Sequence, residues 1–429
     1  MKNLEQIQKT LDYIEENLKT DITLEELSAI AGFSPFHYCR LFRRAVGLGT
    51  AQYLARRRLL WAAYDIAHGM KIIDAALSYG FDTASGFCRA FSRTFGCAPS
   101  VYAARFRARE PYRIHLLQEE HIMLSEKKLR SVLAHWNMQD ERITNTVYSS
   151  GHLNENCFSV GDAHFLKVYT NPAKVQLNLD IAAALDAAGI GAALPLAACD
   201  GTSSYCDGEL YFTLTRRVPG QTLSARDLLA GTAAIAPRSI GVMIGRLHRV
   251  LEHAGDIPAR DRDIFAEVRE QWFDRAREAL ALSESFAAAY LAALEGFSDL
   301  PVQLIHRDPN PGNILADGEC ITGFVDFDLS QRSIRLFDPC YAATGVLVES
   351  SSEYSDADMG RWISLWHEIL DGYDAAVGLT ETEKRAAKYV LLAIQFICVG
   401  YFTQHEKFAD LARTNIRMTQ AILAHWDNL

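Results

Sequence analysis

The stretch from Ile305 to Asp328, IHRDPNPGNILADGECITGFVDFD, constrains the fold more than any other part of the chain. Asp308 and Asn313 stand five residues apart on a segment that carries Pro309, Pro311 and Gly312. Such a segment is neither a regular helix nor an inner strand. The Asp317-Gly318 turn then returns the chain as an apolar strand, Ile321 to Val325, which ends on Asp326. The spacing predicts a loop that feeds a short hairpin, with the side chains of Asp308, Asn313 and Asp326 converging.

Phosphoryl transfer from a nucleotide needs a set of this kind. One carboxylate orients an attacking hydroxyl and takes its proton, while hard oxygen ligands hold Mg²⁺ against the phosphates. Asp308 suits the first task, and Asn313 and Asp326 suit the second. All three are also residue types that turns prefer, and the apolar strand ending Asp-Phe-Asp is what lifts the stretch above an ordinary turn. With that strand included, the stretch resembles the aminoglycoside phosphotransferase and choline kinase-like family, small-molecule relatives of the protein kinases. The resemblance implies an α+β, two-lobed protein-kinase-like fold for the C-terminal part of the chain. It also implies ATP or GTP as phosphoryl donor, Mg²⁺, and a small-molecule hydroxyl as acceptor.

Charge separates this part from what precedes it. Residues 1–107 hold 14 Lys and Arg against 10 Asp and Glu, a balance of +4, which leaves 29 against 43, or −14, for the remainder. A basic first segment suits nucleic acid, and an acidic second one suits a small-molecule enzyme whose phosphate site is neutralised locally by metal. The polar start and the lack of an uninterrupted apolar run of membrane-spanning length lead to the expectation of a cytoplasmic protein without a membrane partner. Nine cysteines without a Cys-x-x-Cys pair argue against a zinc site or a disulfide framework.

The basic segment repeats itself at an offset of 48 to 49 residues: Gly32-Phe33-Ser34 matches Gly80-Phe81-Asp82. Tyr38, Arg40, Phe42, Arg44 and Tyr53 then match Phe87, Arg89, Phe91, Arg93 and Tyr102. Each copy reads as a helix-turn-helix, with an apolar helix, a Gly at the turn, Ser34 or Asp82 as N-cap, and a second helix. His37, Arg40 and Arg44 share one face of the first such helix, and Ser85, Arg89 and Arg93 take the equivalent places in the second. A joining helix from Ala51 to His68, roughly 27 Å long, suits two reading helices placed in successive major grooves about 34 Å apart. The repeat resembles the DNA-binding domain of AraC-type transcription regulators, which implies an all-α double helix-turn-helix domain over 1–107 and double-stranded DNA as partner. That family usually places a sensory domain ahead of this one, whereas here the helix-turn-helix comes first. The sequence leaves open whether the chain forms a homodimer.

Residues 108–123 connect the two parts, and Tyr112, Ile114, Leu116, Leu117, Ile122 and Met123 make this connector too apolar for a free linker. The kinase-like domain is expected over 124–429, its N-lobe over about 124–216 and its C-lobe over about 220–429. Its helix begins at Ser125, and a hairpin and third strand follow from Thr146 to Tyr169. The turn from Ser149 to Asn156, with Ser150 and Gly151, is the candidate for covering nucleotide phosphates. Lys167 stands where the resembled family places its phosphate-gripping Lys, and Asp180, on a helix capped by Asn171-Pro172, is the nearest match to that Lys's acidic partner. His248 and His306 are read as structural, Asp338 as a tie to the catalytic loop, and 345–360, rich in Ser, Glu and Asp, as a surface loop. Two functions fit: a DNA-binding regulator fused to a phosphotransferase, or a regulator whose kinase-like domain senses a ligand without catalysis.

Overall fold

The computed structural model describes residues 2–106, 108–117, 123–148, 151–350, 353–405 and 408–429. The chain opens with seven helices: α1 (Lys2–Glu16), α2 (Leu24–Ala31), α3 (Pro35–Val46), α4 (Thr50–Ala67), α5 (Ile72–Ser78), α6 (Ala84–Phe95) and α7 (Pro99–Arg105). Next come α8 (Glu126–Leu133), β1 (Ile143–Val147), β2 (Leu153–Val160), β3 (His164–Tyr169), α9 (Pro172–Ala187), β4 (Tyr205–Asp207), β5 (Leu210–Arg216) and β6 (Gln221–Thr222). The rest holds α10 (Ala225–Ala230), α11 (Pro237–His253), α12 (Ile264–Glu267), α13 (Phe273–Leu280), α14 (Glu284–Leu294), β7 (Val302–Ile305), β8 (Ile314–Asp317), β9 (Cys320–Phe324) and β10 (Gln331–Ile334). It closes with α15 (Phe337–Ser350), α16 (Asp356–Val377), α17 (Glu381–Phe402) and α18 (Ala409–Ala424). Two compact units result: Met1–Thr170 with Pro195–Arg216, and Asn171–Leu194 with Arg217–Leu429.

In the first unit α1–α7 form two helix-turn-helix copies. Thr23 caps α2 by accepting from Glu26 N, and Gly32 ends it at φ 70°. Ser34 caps α3, but α6 is capped by Thr83, whose hydroxyl accepts from Gly86 N, and not by the expected Asp82. The shift has a simple cause: either residue type offers an oxygen, and Thr83 is the one standing directly before the helix. Tyr38, Phe42 and Tyr53, with their repeat partners Phe87, Phe91 and Tyr102, are all at most 2% exposed, so the repeat is carried largely by core aromatics. Glu15 on α1 receives Arg57 Nε and Nη2 at 2.5 and 2.7 Å and Trp61 Nε1 at 3.1 Å, a buried pair that locks α1 onto α4. The connector packs here too. Gln8 exchanges hydrogen bonds with Ile114 O and Leu116 N, and Ile114 and Met123 are buried in the core that α1–α7 form. Leu117 is 52% exposed, and Ile122 lies outside the described residues.

The same unit holds an antiparallel sheet of order β1-β2-β3-β5-β4. Alternation gives it one dry face, where Phe158, Val160, Leu166, Val168, Phe212 and Leu214 pack against Leu129, Val132 and Leu133 of α8 and against Trp136. Ser125 caps α8 through Lys128 N, as expected.

The second unit is mostly helical around one large core. Its tightest packing is α11 on α16, where a Cβ on Gly241 would sit 1.9 Å from Ile369 O and one on Gly372 2.0 Å from Arg238 O. Two small sheets, β6-β8-β9 and β10-β7, carry the Ile305–Asp328 stretch. Residues 345–360 are not a surface loop: Gly345 to Ser350 complete α15 and Asp356 to Gly360 begin α16. Val346, Leu347 and Met359 are buried there, so apolar anchors outweigh the polar composition. Asp358 pairs with Ser355 and Arg361. Among the described residues α17 alone is long and apolar enough to cross a membrane, and most of it is buried in the core.

Candidate functional site

The stretch from Ile305 onward folds as a loop between β7 and β8, followed by the β8–β9 hairpin. Asp308 is clasped by its own loop: Asn310 Nδ2 donates to Oδ1 at 2.8 Å, and Asn313 Nδ2 donates to Oδ2 at 3.1 Å and to the Asp308 carbonyl at 2.9 Å. Val325 N donates to Asn313 O at 3.0 Å, which ties the end of the hairpin, and with it Asp326, to the loop. Burial pushes the Asp308 carboxyl up to about 7, the Asp326 charge adding to the rise, while Asn310, Tyr341 and Asn313 donate to it and oppose it. A loop and a strand end thus bring Asp308, Asn313 and Asp326 together.

The backbone of this site is strained. Arg307 and Asp326 both lie at φ 67°, a region that costs a non-glycine residue about 1–3 kcal/mol and persists only where its surroundings impose it. Asp338, fully buried, imposes it at Arg307: Oδ1 accepts from Arg307 N and Oδ2 from His306 N, each at 2.8 Å. His248 Nε2 stands 2.8 Å from the same Oδ2, and His248 Nδ1 stands 2.7 Å from the Tyr373 hydroxyl. His306 donates to or accepts from its own surroundings only, Nε2 lying 3.1 Å from Val325 O and Nδ1 accepting from Asp308 N. Both histidines are therefore structural. Asn310 and Tyr341 were missed from the sequence. The Pro-Asn-Pro context could have marked Asn310 as a turn former facing Asp308, whereas nothing local marks Tyr341.

In the first unit, Lys167 on β3 pairs with Cys157 on β2 and Thr213 on β5, and its ammonium lies 5.4 Å from the Tyr169 ring centroid. Thr213 is 2% exposed, and its hydroxyl, on the same face, has no hydrogen-bond partner among the described residues. Gly151 sits at the β1–β2 turn with φ 79°, and Ser150 lies outside the described residues. In the second unit, Asp180 accepts from Gln176 Nε2 at 2.7 Å on its own helix and faces a groove with Arg249 and His253.

Helices α3 and α6 carry the residues expected to face DNA. Arg40, Arg44, Ser85, Arg89 and Arg93 are exposed. His37 is half-buried against Phe33, and its Nδ1 lies 3.2 Å from Arg40 Nη2, which orients that guanidinium.

Together these features define a helix-turn-helix region followed by a kinase-like α+β region. Residues 144–378, more than half the chain, match the family described as the phosphotransferase enzyme family, and the chain belongs to that family. Residues 27–105 match a helix-turn-helix domain of the AraC type. Over 97 residues the chain is 34% identical to the HTH-type transcriptional activator AarP of Providencia stuartii, covering 22% of this chain and 72% of that protein. It is 36% identical over 97 residues to the uncharacterized HTH-type transcriptional regulator YbfP of Bacillus subtilis, covering 22% of this chain but only 33% of that relative. A microcompartment-associated aminopropanol kinase superposes with TM-score 0.51 at 18% identity, covering 71% of this chain and 98% of that one. The GDP complex of aminoglycoside 2'-phosphotransferase-IIIa gives 0.50 at 14% identity, over 71% and 100%. At such identities the likeness shows the fold.

Proposed function

We propose that residues 124–429 form a nucleotide-dependent phosphotransferase that acts on an alcohol group of a small molecule, and that residues 1–107 bind double-stranded DNA as a transcription regulator. The observation that carries the reading is the clasped Asp308. A half-buried carboxyl, oriented by two amide donors and raised toward neutrality, is a general base matched to a hydroxyl at ordinary pH. It would accept the proton of the acceptor hydroxyl as that oxygen attacks the terminal phosphoryl group of ATP or GTP, the bond to the β-phosphate oxygen breaking and ADP or GDP leaving.

The donor set fits Mg²⁺. Asn313 donates through its amide nitrogen to Asp308, which leaves its oxygen as the ligating atom, and Asp326 supplies a carboxylate. One carboxylate, one amide oxygen and nucleotide phosphates make the hard, oxygen-only set that Mg²⁺ favours. When bound, the ion would neutralise charge on the phosphates. Lys167 would grip those phosphates from β3, and the orphaned Thr213 hydroxyl on the same face adds a donor. Gly151 is the part of the β1–β2 turn proposed to face the phosphates. On the DNA side, Arg40 and Arg89 would read bases, with His37, Arg44, Ser85 and Arg93 completing the two faces. DNA and nucleotide as partners make the cytoplasm the expected place of action.

The test is turnover of ATP and GTP by the purified full chain with Mg²⁺, against panels of aminoglycosides, amino alcohols and sugars. A phosphorylated product from one class is expected. Nucleotide binding without product from any class would overturn the transfer reading and leave a ligand-sensing domain.

A further inference from the structure

Asp326 stands between two attachments of one helical segment. Just after α9, Gly191 N donates to Thr322 O at 2.9 Å and Gly191 O accepts from Phe324 N at 3.0 Å. This parallel bridge to β9 is so close that a Cβ on Gly323 would come within 2.0 Å of Gly191 O. Beyond Asp326, Asn178 on α9 donates from Nδ2 to Asp328 Oδ1 at 3.0 Å. The same amide nitrogen also donates to Lys174 O, one helical turn back, at 2.9 Å. An Asn turned the other way would set its oxygen against two acceptors, so the amide orientation is fixed. Leu177, Ile181 and Leu185 bury α9 in the core that also takes Phe324 and Phe327. The helix is therefore anchored whether or not Asn178 bonds Asp328, and can act as a strut for the chain that passes it.

The backbone shows what the strut does. Asp326 lies at φ 67°, and a residue other than glycine stays in that region only where its flanks are held. On the near side Val325 is held twice, its N donating to Asn313 O at 3.0 Å and its O lying 3.1 Å from His306 Nε2. On the far side Phe327 is buried against His306, the ring centroids 4.4 Å apart, and Asp328 is joined to α9 by Asn178. We propose that Asn178 is a positioning residue for the metal ligand Asp326: by holding Asp328, it keeps the strand end in the left-handed conformation in which Asp326 joins Asn313. The inference rests on the Mg²⁺ and nucleotide reading of the site given above. It separates two carboxylates two residues apart, assigning Asp326 to the metal and Asp328 to the strut.

The test compares the full chain with Asn178→Ala, Asn178→Asp, and the double variant Asn178→Asp with Asp328→Asn, which rebuilds the hydrogen bond with donor and acceptor exchanged. Ala suits a helix interior, and the apolar stripe and the Gly191 bridge are untouched, so α9 stays in place. Three quantities are measured: the Kd of a non-hydrolysable ATP analogue as a function of Mg²⁺, its Kd in EDTA, and the electron paramagnetic resonance spectrum of Mn²⁺ bound with the analogue. Losing one hydrogen bond to a part-buried carboxylate corresponds to roughly 10-fold in an equilibrium. Asn178→Ala should therefore need about tenfold more Mg²⁺ for the same binding, and Asn178→Asp, which sets two carboxylates together, more than that. The Kd in EDTA should stay at the parent value, the Mn²⁺ spectrum should change in both single variants, and the double variant should return toward the parent in both Mg²⁺ dependence and spectrum. A parent-like Mg²⁺ dependence in both single variants overturns the proposal. Equal weakening with and without Mg²⁺ also overturns it, because that marks a general loss of structure. A double variant no better than Asn178→Asp assigns Asp328 to the metal itself and overturns the positioning role. A parent chain that binds no analogue, or binds it without response to Mg²⁺, overturns the reading of the site, and the inference with it.

Discussion

Replacing Asp338 by Asn changes one atom of a fully buried side chain, and the structure sets the consequence. Its two carboxylate oxygens accept from Arg307 N, His306 N and His248 Nε2, each at 2.8 Å. An Asn of the same shape must aim its NH₂ at one side. The less costly orientation keeps the oxygen toward His306 and His248 and turns the NH₂ on Arg307 N, donor against donor. One hydrogen bond to a charged acceptor is lost, about 1.5–3 kcal/mol, and buried donors are left unsatisfied, so the sum is about 2–4 kcal/mol with no cavity term. The site loses more than stability, because Arg307 N is what holds φ at 67° one residue before Asp308. Released, Arg307 relaxes toward negative φ and swings the base away from its acceptor, so turnover is expected to fall by at least about 100-fold. Urea unfolding and initial-rate kinetics of Asp338→Asn against the parent chain measure both effects. A loss under about 0.5 kcal/mol, within the range of an ordinary surface change, together with turnover within twofold of the parent, would refute the reasoning.

Asp308→Asn keeps shape and nucleotide affinity but removes the proton acceptor, so the rate should drop by about 10²–10⁴, whereas Asp326→Asn should weaken Mg²⁺-dependent nucleotide binding; full turnover by either variant with the true acceptor counts against the site. Arg40→Ala and Arg89→Ala should each cost about 1–3 kcal/mol at a selected DNA site, while Arg44→Ala should weaken binding evenly across sequences; gel-shift titration at fixed salt separates these outcomes. At Glu383, burial pushes the carboxyl up, but bidentate Arg335 and the Thr380 N–H more than offset it and hold it below its ordinary 4.5. Its stabilisation is therefore full above about pH 4.5 and lost as pH falls through the lower folded value, so the gap in urea midpoint between parent and Glu383→Gln should narrow below that pH, and a constant gap would contradict the assignment. Gly241→Ala drives a methyl to 1.9 Å from Ile369 O, and calorimetry should show a loss at or above the top of the about 1–3 kcal/mol range for overpacking.

What could be read from the chain, and what could not, follows from how far each interaction reaches along it. The trio of Asp308, Asn313 and Asp326 was legible because it lies within one loop and one hairpin, where proline, glycine and strand alternation fix the geometry locally. The groups that hold the trio were less so: Asp338 was flagged as a tie to the loop, but His248 reaches Asp338 from α11, Tyr373 braces that histidine from α16, and Tyr341 of α15 reaches Asp308, and no local pattern announces such contacts. The left-handed backbone at Arg307 and Asp326 was invisible for a related reason, since neither residue is glycine and the strain is imposed by tertiary hydrogen bonds. Residues 345–360 misled in the opposite direction: Ser, Glu and Asp dominate the count, yet a few apolar anchors, Val346, Leu347 and Met359 among them, decide the helices. The repeat is the subtlest case. It was read through Arg40 and Arg89 as a groove-binding pattern, and those side chains are indeed exposed, but its strongest matches are the aromatics that make the two cores. A double core explains two helix-turn-helix units without any reference to DNA, so the argument for base reading rests on the exposed arginines alone. Tyr102 sharpens the distinction, because the aromatic that completes the second core also carries the hydroxyl that reaches Gly151.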